Sequence, residues 1–339
     1  MIFFTVFYFS NIEDLKAIFL AQILVLFVEV FLGIWELTGG YHLYGSFPQY
    51  YLKHNLLPVI GTFGHPNNFA TYLSMYLPLL YVWGKYQKNR PMMFCSFGIL
   101  ALGLYLITAS TSRANMMAMI LGLVLAIVLS VIQHWGQFYR IQYWGRLFRD
   151  MIKRTIIGVV IVIILAGFIY PLENQHADLA PNQLKEQVMS VFVNWDNDSS
   201  IRVRKILILK GLDMLKDTYG LGVGAGSSQF IMEQYQDETF GFIKMHNWWV
   251  EVLVDYGVII WVLLLLFFAR MLWDLFKIFC NSRHRNLQMW SEGLIISLCM
   301  FSLGVISNGS IMSSAHMWIL LSLALCVINV SEQHDFAPN

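Results

Sequence analysis

The sequence predicts an all-α polytopic integral membrane protein, with about eight transmembrane helices and one long extracytoplasmic loop. Three observations carry that fold class. Of the 339 residues, 57% are hydrophobic and only 13% are charged, whereas soluble domains carry about 25% charged residues. Mean hydropathy is +0.58, so lipid is the solvent for most of the chain. Apolar runs close to the roughly 20 residues that cross a hydrocarbon core recur along it, and Lys and Arg are divided unevenly between the connections.

The expected spans lie at about 15–35, 66–84, 91–109, 114–133, 155–171, 246–269, 288–307 and 314–330. The first carries Glu29, with Glu36 just beyond its outer end; neither is assigned a role from sequence. The second opens with His65-Pro66-Asn67, and proline suits a first helical turn. The third and fourth meet at Ser110-Thr111-Ser112-Arg113, and the fifth is short. The sixth starts where the long loop ends, at His246-Asn247, and His316 opens the last. Met1–Phe9 is too short to span. It reads as the tail of an upstream helix, so an N-terminally shortened version of a larger protein is expected.

One set of connections holds Lys16, Lys85, Lys88, Arg90, Arg140, Arg146, Arg149, Lys153, Arg154, Arg270, Lys277, Arg283 and Arg285. The opposite short connections hold only Lys53 and Arg113. The positive-inside rule makes the first set cytoplasmic and the loop 172–245 extracytoplasmic, in a multi-pass membrane protein. No repeat or linker divides residues 1–339, which read as one domain. Net charge is +1, and no clustered basic domain points to nucleic acid. The four cysteines, Cys95, Cys280, Cys299 and Cys326, all avoid the long loop; a disulfide framework is not expected. No metal-ligand spacing or nucleophile elbow is present.

Polar residues near hydrocarbon are the candidates for chemistry. Arg113 either forks onto a phosphate or snorkels to the interface. Arg202 and Arg204 open an amphipathic segment, Ser200–Asp217, whose apolar stripe reads as Ile201, Ile208, Leu212 and Leu215. That segment is either a membrane-surface helix or a packed loop helix. Its arginines meet lipid headgroups or an anionic ligand. The run Tyr219-Gly220-Leu221-Gly222-Val223-Gly224 has no strand before it and no nucleotide fingerprint. It is expected to be a tight turn bringing backbone close to backbone or ligand. His246 can act as a general base or donate to a phosphate. Asn247, Glu251 and Asp255 share one helical face beyond it. His65 and Asn67 are either polar glue between helices or part of the site.

Four motifs in order resemble the O-antigen ligase and polymerase superfamily of bacterial envelope glycan enzymes. They are GTFGHPNNFATYL at 61–73, LITASTSRANMMAMILG at 106–122, RKILILKGLDMLKDTYGLGVGAGSSQF at 204–230 and HNWWVEVLVDYG at 246–257. Two positions depart from the family pattern: Ile208 stands where an aromatic is common, and Tyr219-Gly220 precedes the turn in place of proline. The resemblance implies transfer of glycan from a polyprenyl diphosphate carrier at the outer membrane face, without metal or other cofactor. Arg113 and Arg204 would hold the diphosphate, with Arg202 as a further anchor, and His246 would activate the acceptor or contact the diphosphate. Asn247, Glu251, Asp255, Asn67, His65, Gly222 and Gly224 would support them.

The leading expectation is a polymerase of repeat units for an exopolysaccharide, capsule or teichuronic-type polymer. Expected partners are the carrier-linked glycan, membrane lipid, and a flippase and chain-length regulator of a glycan export system. A ligase moving finished glycan to another acceptor uses the same chemistry. A secondary transporter with a Glu251–Asp255–His246 proton relay would show repeated halves, and none is apparent. A non-enzymatic partner of a glycan export complex is the third class.

Overall fold

A computed structural model describes residues 11–39, 42–43, 59–134, 199–309 and 314–335. All regular elements among them are helical. They are α1 (Ile12–Gly39), α2 (Pro66–Tyr86), α3 (Arg90–Ala109), α4 (Arg113–His134), α5 (Ser199–Asp217), the short α6 (Ser227–Met232), α7 (Trp248–Asn281), α8 (Arg285–Gly304) and α9 (Ala315–Asp335). A 3-10 turn, Val305–Ser307, extends α8. Among the described residues, six helices are long and apolar enough to cross a membrane: α1, α3, α4, α7, α9 and α8 with its 3-10 turn. The chain is a multi-pass membrane protein. The expected span at 155–171, residues 1–9 and the loop portion 172–198 lie outside the described residues.

The expected second span is helical, but α2 is too polar to join those six. It occupies the middle of the bundle, packed chiefly against α8 and α3. Tyr72, Tyr76, Thr71 and Ser74 are all fully buried there. Helical neighbours rather than lipid surround it, and Thr71, Ser74 and Tyr76 find partners there, while the Tyr72 hydroxyl has none among the described residues. The Tyr76 hydroxyl donates to the His316 carbonyl at 2.9 Å, and the Ser74 hydroxyl donates to Asn115 Oδ1 at 2.9 Å. At the other end of α2, Lys85 Nζ reaches Glu292 Oε1 at 2.5 Å and Ser130 Oγ at 3.1 Å, tying α2, α8 and α4 together. Removing one member of such a buried pair costs about 3–5 kcal/mol.

The outer helices have the opposite pattern. Leu24, Phe31, Leu123, Ile127, Ile259 and Leu266 all point outward with more than half their surface uncovered. Large apolar side chains on the outside mark the lipid-facing surface of a membrane bundle. By contrast, the apolar window of α8 is 78% buried, against 33% or less for α1, α3, α4 and α7. Small residues let α8 approach closely: Gly293 lies against Val82 and Leu79, and Gly304 against Asn115.

α7 corrects one expected boundary. The span expected to end at 269 continues as helix to Asn281. Met271, Leu275, Ile278 and Phe279 bury one face of this extension, and Asp274 pairs with Arg270 and with Lys277, both at 2.6 Å, one turn apart along the helix. What read as a basic loop is the last turns of a helix, and Cys280 lies in it.

α7 is also broken. Gly257 has φ 82° and ψ 171°, far from helical values. The turn at 220–224 fills the break. Val223 N donates to Val254 O, Gly224 N to Asp255 O, and Val258 N to Gly220 O, each at 2.9 Å. The contact is so close that a Cβ on Gly222 would sit 2.5 Å from Gly257 N. Asp255 completes the junction: its carboxylate accepts from Gly226 N at 3.0 Å and Ser228 N at 3.1 Å.

Two measurements check this description. Gly222→Ala, at φ +88° with no room for a methyl, should lower the thermal unfolding midpoint sharply, while Gly98→Ala, facing open space, should leave it unchanged. Equal midpoints for the two would mean the turn does not dock on α7. In a cysteine-free background, Ala225→Cys and Asn89→Cys should react with an impermeant thiol reagent from opposite sides of the membrane, Ala225→Cys from outside. The reverse labelling would invert the orientation drawn from the Lys and Arg distribution.

Candidate functional site

The site forms at the end of the bundle where α2 begins. Two carboxylates of α1 suspend the segment leading to it. Glu36 Oε2 accepts from Ile60 N and Gly61 N, both at 2.8 Å. Glu29 accepts from the Thr62 hydroxyl at 2.6 Å. These are the two residues the sequence left unassigned; they orient the start of α2. His65 is the N-cap of that helix, its Nδ1 accepting from Asn67 N at 3.1 Å.

His246 stands opposite, one residue before the N-cap of α7. Its backbone takes the left-handed region at φ 48°. A histidine in that conformation is held there by its surroundings, a form of strain found preferentially at functional sites. Its ring lies 5.9 Å from that of Phe242 in an edge-on arrangement and is hydrogen-bonded to the Ser307 backbone. Asn67 Nδ2 donates to the Ser307 carbonyl at 3.3 Å, so the 3-10 turn after α8 bridges the two histidine-bearing segments. The backbone at 309 comes close as well: a Cβ there would lie 3.1 Å from Lys244 Cβ and 3.2 Å from His246 N.

Charge defines the cluster. Burial pushes the His246 pKa down to about 4, and the positive charge of Arg204 and the nearby His65 and Lys244 push the same way. Burial also lowers the pKa of His65, with Lys244 and Arg204 adding to it. Both imidazoles are therefore neutral near pH 7 beside two cations. A cluster of two cations and two neutral imidazoles is suited to a multiply charged anion.

α5 explains why Arg204 and not Arg202 takes part. Its buried stripe is Leu207, Gly211 and Met214, not the expected Ile201, Ile208, Leu212 and Leu215, which are half-buried. That stripe packs against Met245 and Val254, so α5 is a packed loop helix. Arg204 lies on the same face as Leu207 and Gly211 and turns inward. Arg202, two residues earlier, is exposed. The glycine at 211 hid this stripe from a count of large apolar residues.

The remaining expected residues divide by role. Asn247 caps α7, its Oδ1 accepting from Val250 N at 3.3 Å. Glu251 is buried and receives Gln229 Nε2 at 3.5 Å. Asp255, Gly222 and Gly224 belong to the junction between turn and broken helix. Arg113 is half-buried at the first position of α4. Beside it, Asn115 Nδ2 donates to Ser112 Oγ at 2.9 Å and to Thr71 Oγ1 at 3.0 Å. Asn308 Nδ2 donates to Thr71 Oγ1 at 2.9 Å, and Ser112 Oγ lies 3.4 Å from Ser307 Oγ. This buried network links the Arg113 corner to the turn that holds His246. Lys244, Ser307, Asn308, Thr71 and Asn115 were not singled out from sequence. Lys244 carried a signal, since it is a cation two residues before His246; the others are small polar residues at span ends whose meeting needs the fold.

A family model described as O-antigen ligase matches residues 98–267. The chain belongs to the O-antigen ligase family. The match includes Arg113, Arg204, the glycine turn, His246 and the α7 break, and excludes His65, Asn67 and Ser307. The chain is also similar to the teichuronic acid biosynthesis protein TuaE of Bacillus subtilis (strain 168), at 25% identity over 348 residues. That alignment covers 99% of this chain and 65% of the relative, so the chain spans about two thirds of that protein's length.

The shifted histidines predict a pH dependence of stability. An unfolded histidine takes up its proton near pH 6.5, whereas folded His246 resists protonation until about pH 4. Between those values the unfolded state binds more protons, so stability falls as pH falls. The thermal unfolding midpoint in detergent should be level above pH 6.5 and drop toward pH 4, with His246→Gln flattening the drop. Superimposable curves for the wild type and the variant would show that the fold tolerates a charged ring.

Proposed function

We propose that this protein transfers glycan repeat units from a polyprenyl diphosphate carrier on the outer face of the cytoplasmic membrane, acting as a polymerase for an envelope polysaccharide. The observation that carries the reading is the cluster of Arg204, Lys244, His65 and His246 at one end of an apolar bundle. A polyprenyl diphosphate has a hydrocarbon tail that needs lipid and a charged head that needs cations at the membrane surface. Membership of the O-antigen ligase family and similarity to a protein of teichuronic acid biosynthesis support it. A flippase and a chain-length regulator are the partners this reading implies.

In this mechanism the acceptor hydroxyl oxygen bonds to the anomeric carbon of the donor glycan. The bond from that carbon to the diphosphate oxygen breaks, and its electron pair leaves with the carrier diphosphate. The hydroxyl proton passes to the His246 ring nitrogen not engaged with Ser307. Arg204, Lys244 and Arg113 offset the growing negative charge, and positioning two large substrates supplies much of the remainder. Binding the anion also opposes the positive field on His246, so the ring gains proton affinity when substrate arrives. The carboxylate of Asp255 is engaged with backbone N–H groups, which disfavours a proton-relay transporter.

His246→Ala should leave the protein folded and lower glycan extension in vitro by about 10²–10⁴-fold. His246→Gln should recover activity only if the ring merely contacts phosphate. Extension within a few-fold of wild type in His246→Ala would remove the base from this mechanism. Arg113→Lys should sharply reduce polymer at normal protein level, because a lysine lacks the paired donors of a guanidinium; near-normal polymer would leave Arg113 an interfacial residue. Deleting the gene separates the two transfers: carrier-linked single repeat units should accumulate for a polymerase, long carrier-linked chains for a ligase.

A further inference from the structure

A second cationic site lies at the opposite end of the bundle. α2 runs about 30 Å from Pro66 to Tyr86 at 1.5 Å per residue, which is the thickness of a hydrocarbon core. Where it ends, a cavity of about 460 Å³ opens between the start of α1, the end of α2 and the start of α8. Lys16, Lys88 and Arg285 line it, with the rings of Phe19, Trp83 and Trp290. Its described lining has no acidic side chain. Among the described residues, the carboxylate engaged with these cations is Glu13, 2.6 Å from Lys16. Arg285 donates to the Tyr86 carbonyl at 3.1 Å and lies 5.5 Å from the centre of the Tyr86 ring. The cavity therefore keeps a surplus of positive charge.

Trp290 lies on the inner wall of the cavity and is 2% exposed. Cations at the rim and aromatic rings on an inner wall suit a headgroup whose phosphate faces the cations and whose chains continue into lipid. Basic pockets between helices at a membrane face bind acidic lipid headgroups.

We propose that this cavity binds the phosphate headgroup of an anionic phospholipid, which wedges α1 against α2 and α8 at the membrane face opposite His246. Lys88 and Arg285 hold the phosphate, Lys16 adds charge at the rim, and the rings of Phe19, Trp83 and Trp290 form the wall beside it. The site is separate from the glycan chemistry and does not depend on it.

Purified full-length protein in neutral detergent tests this with phosphatidylglycerol, phosphatidylcholine and inorganic phosphate as probes, read by thermal unfolding and native mass spectrometry. Phosphatidylglycerol should raise the unfolding midpoint by several degrees and remain bound in the gas phase; phosphatidylcholine and inorganic phosphate should do neither. Lys88→Glu, at an exposed position, should fold normally and lose at least tenfold in phosphatidylglycerol affinity. His246→Ala should bind the lipid as wild type does, whatever its effect on glycan. Equal stabilisation by phosphatidylcholine, an equal shift from inorganic phosphate alone, or wild-type affinity in Lys88→Glu would each overturn the proposal.

Discussion

The backbone junction between the glycine turn and the break in α7 is the constraint on which the site depends. A helix near hydrocarbon cannot leave its N–H and C=O groups unpaired, so the break at Gly257 is tolerable only because the turn at 220–224 takes over the freed bonds. The turn reaches them only because Gly222 and Gly257 lack side chains. Asp255 then caps the following short helix with both carboxylate oxygens. Together these contacts fasten the extramembrane segment to a transmembrane helix at a defined height. α5, packed on α7 through Leu207 and Met214, carries Arg204 to His246 from that anchorage.

Electrostatics at this end are set by what surrounds the histidines. Burial alone would disfavour the imidazolium form, and the neighbouring cations disfavour it further. The cluster keeps its rings neutral and its cations charged, an arrangement completed by an anion. The left-handed backbone of His246 and the shared Ser307 carbonyl fix the ring before any ligand arrives. Preorganised groups of this kind need no rearrangement when charge develops.

The bundle itself is inside-out only in part. Its outer helices expose leucine, isoleucine and phenylalanine to lipid, while its central helix α2 carries tyrosine, serine and threonine into the interior. The ion pair of Lys85 with fully buried Glu292 belongs to that interior, and its low dielectric makes the pairing obligatory.

The sequence by itself determined the all-helical membrane class, most span positions and the family. Those features are carried by composition, by runs of about 20 apolar residues and by motifs local in the chain. Local pattern misled where partners are distant. It could not mark α2 as the enclosed helix, because only the neighbours decide whether a tyrosine meets lipid or protein. It placed the stripe of α5 on large residues, because the glycine at 211 becomes a contact only when Met245 packs on it. It ended α7 too early, because the charges at Arg270, Asp274 and Lys277 read as a connection, whereas Met271, Leu275, Ile278 and Phe279 beside them pack into the core. Tertiary structure alone left Arg202 exposed and Arg204 half-buried, gave Glu29 and Glu36 their backbone partners, and brought Ser307 to His246 from about sixty residues away. A hydrogen bond or a Coulomb interaction depends on distance in space, and for residues on different helices that distance is set by packing.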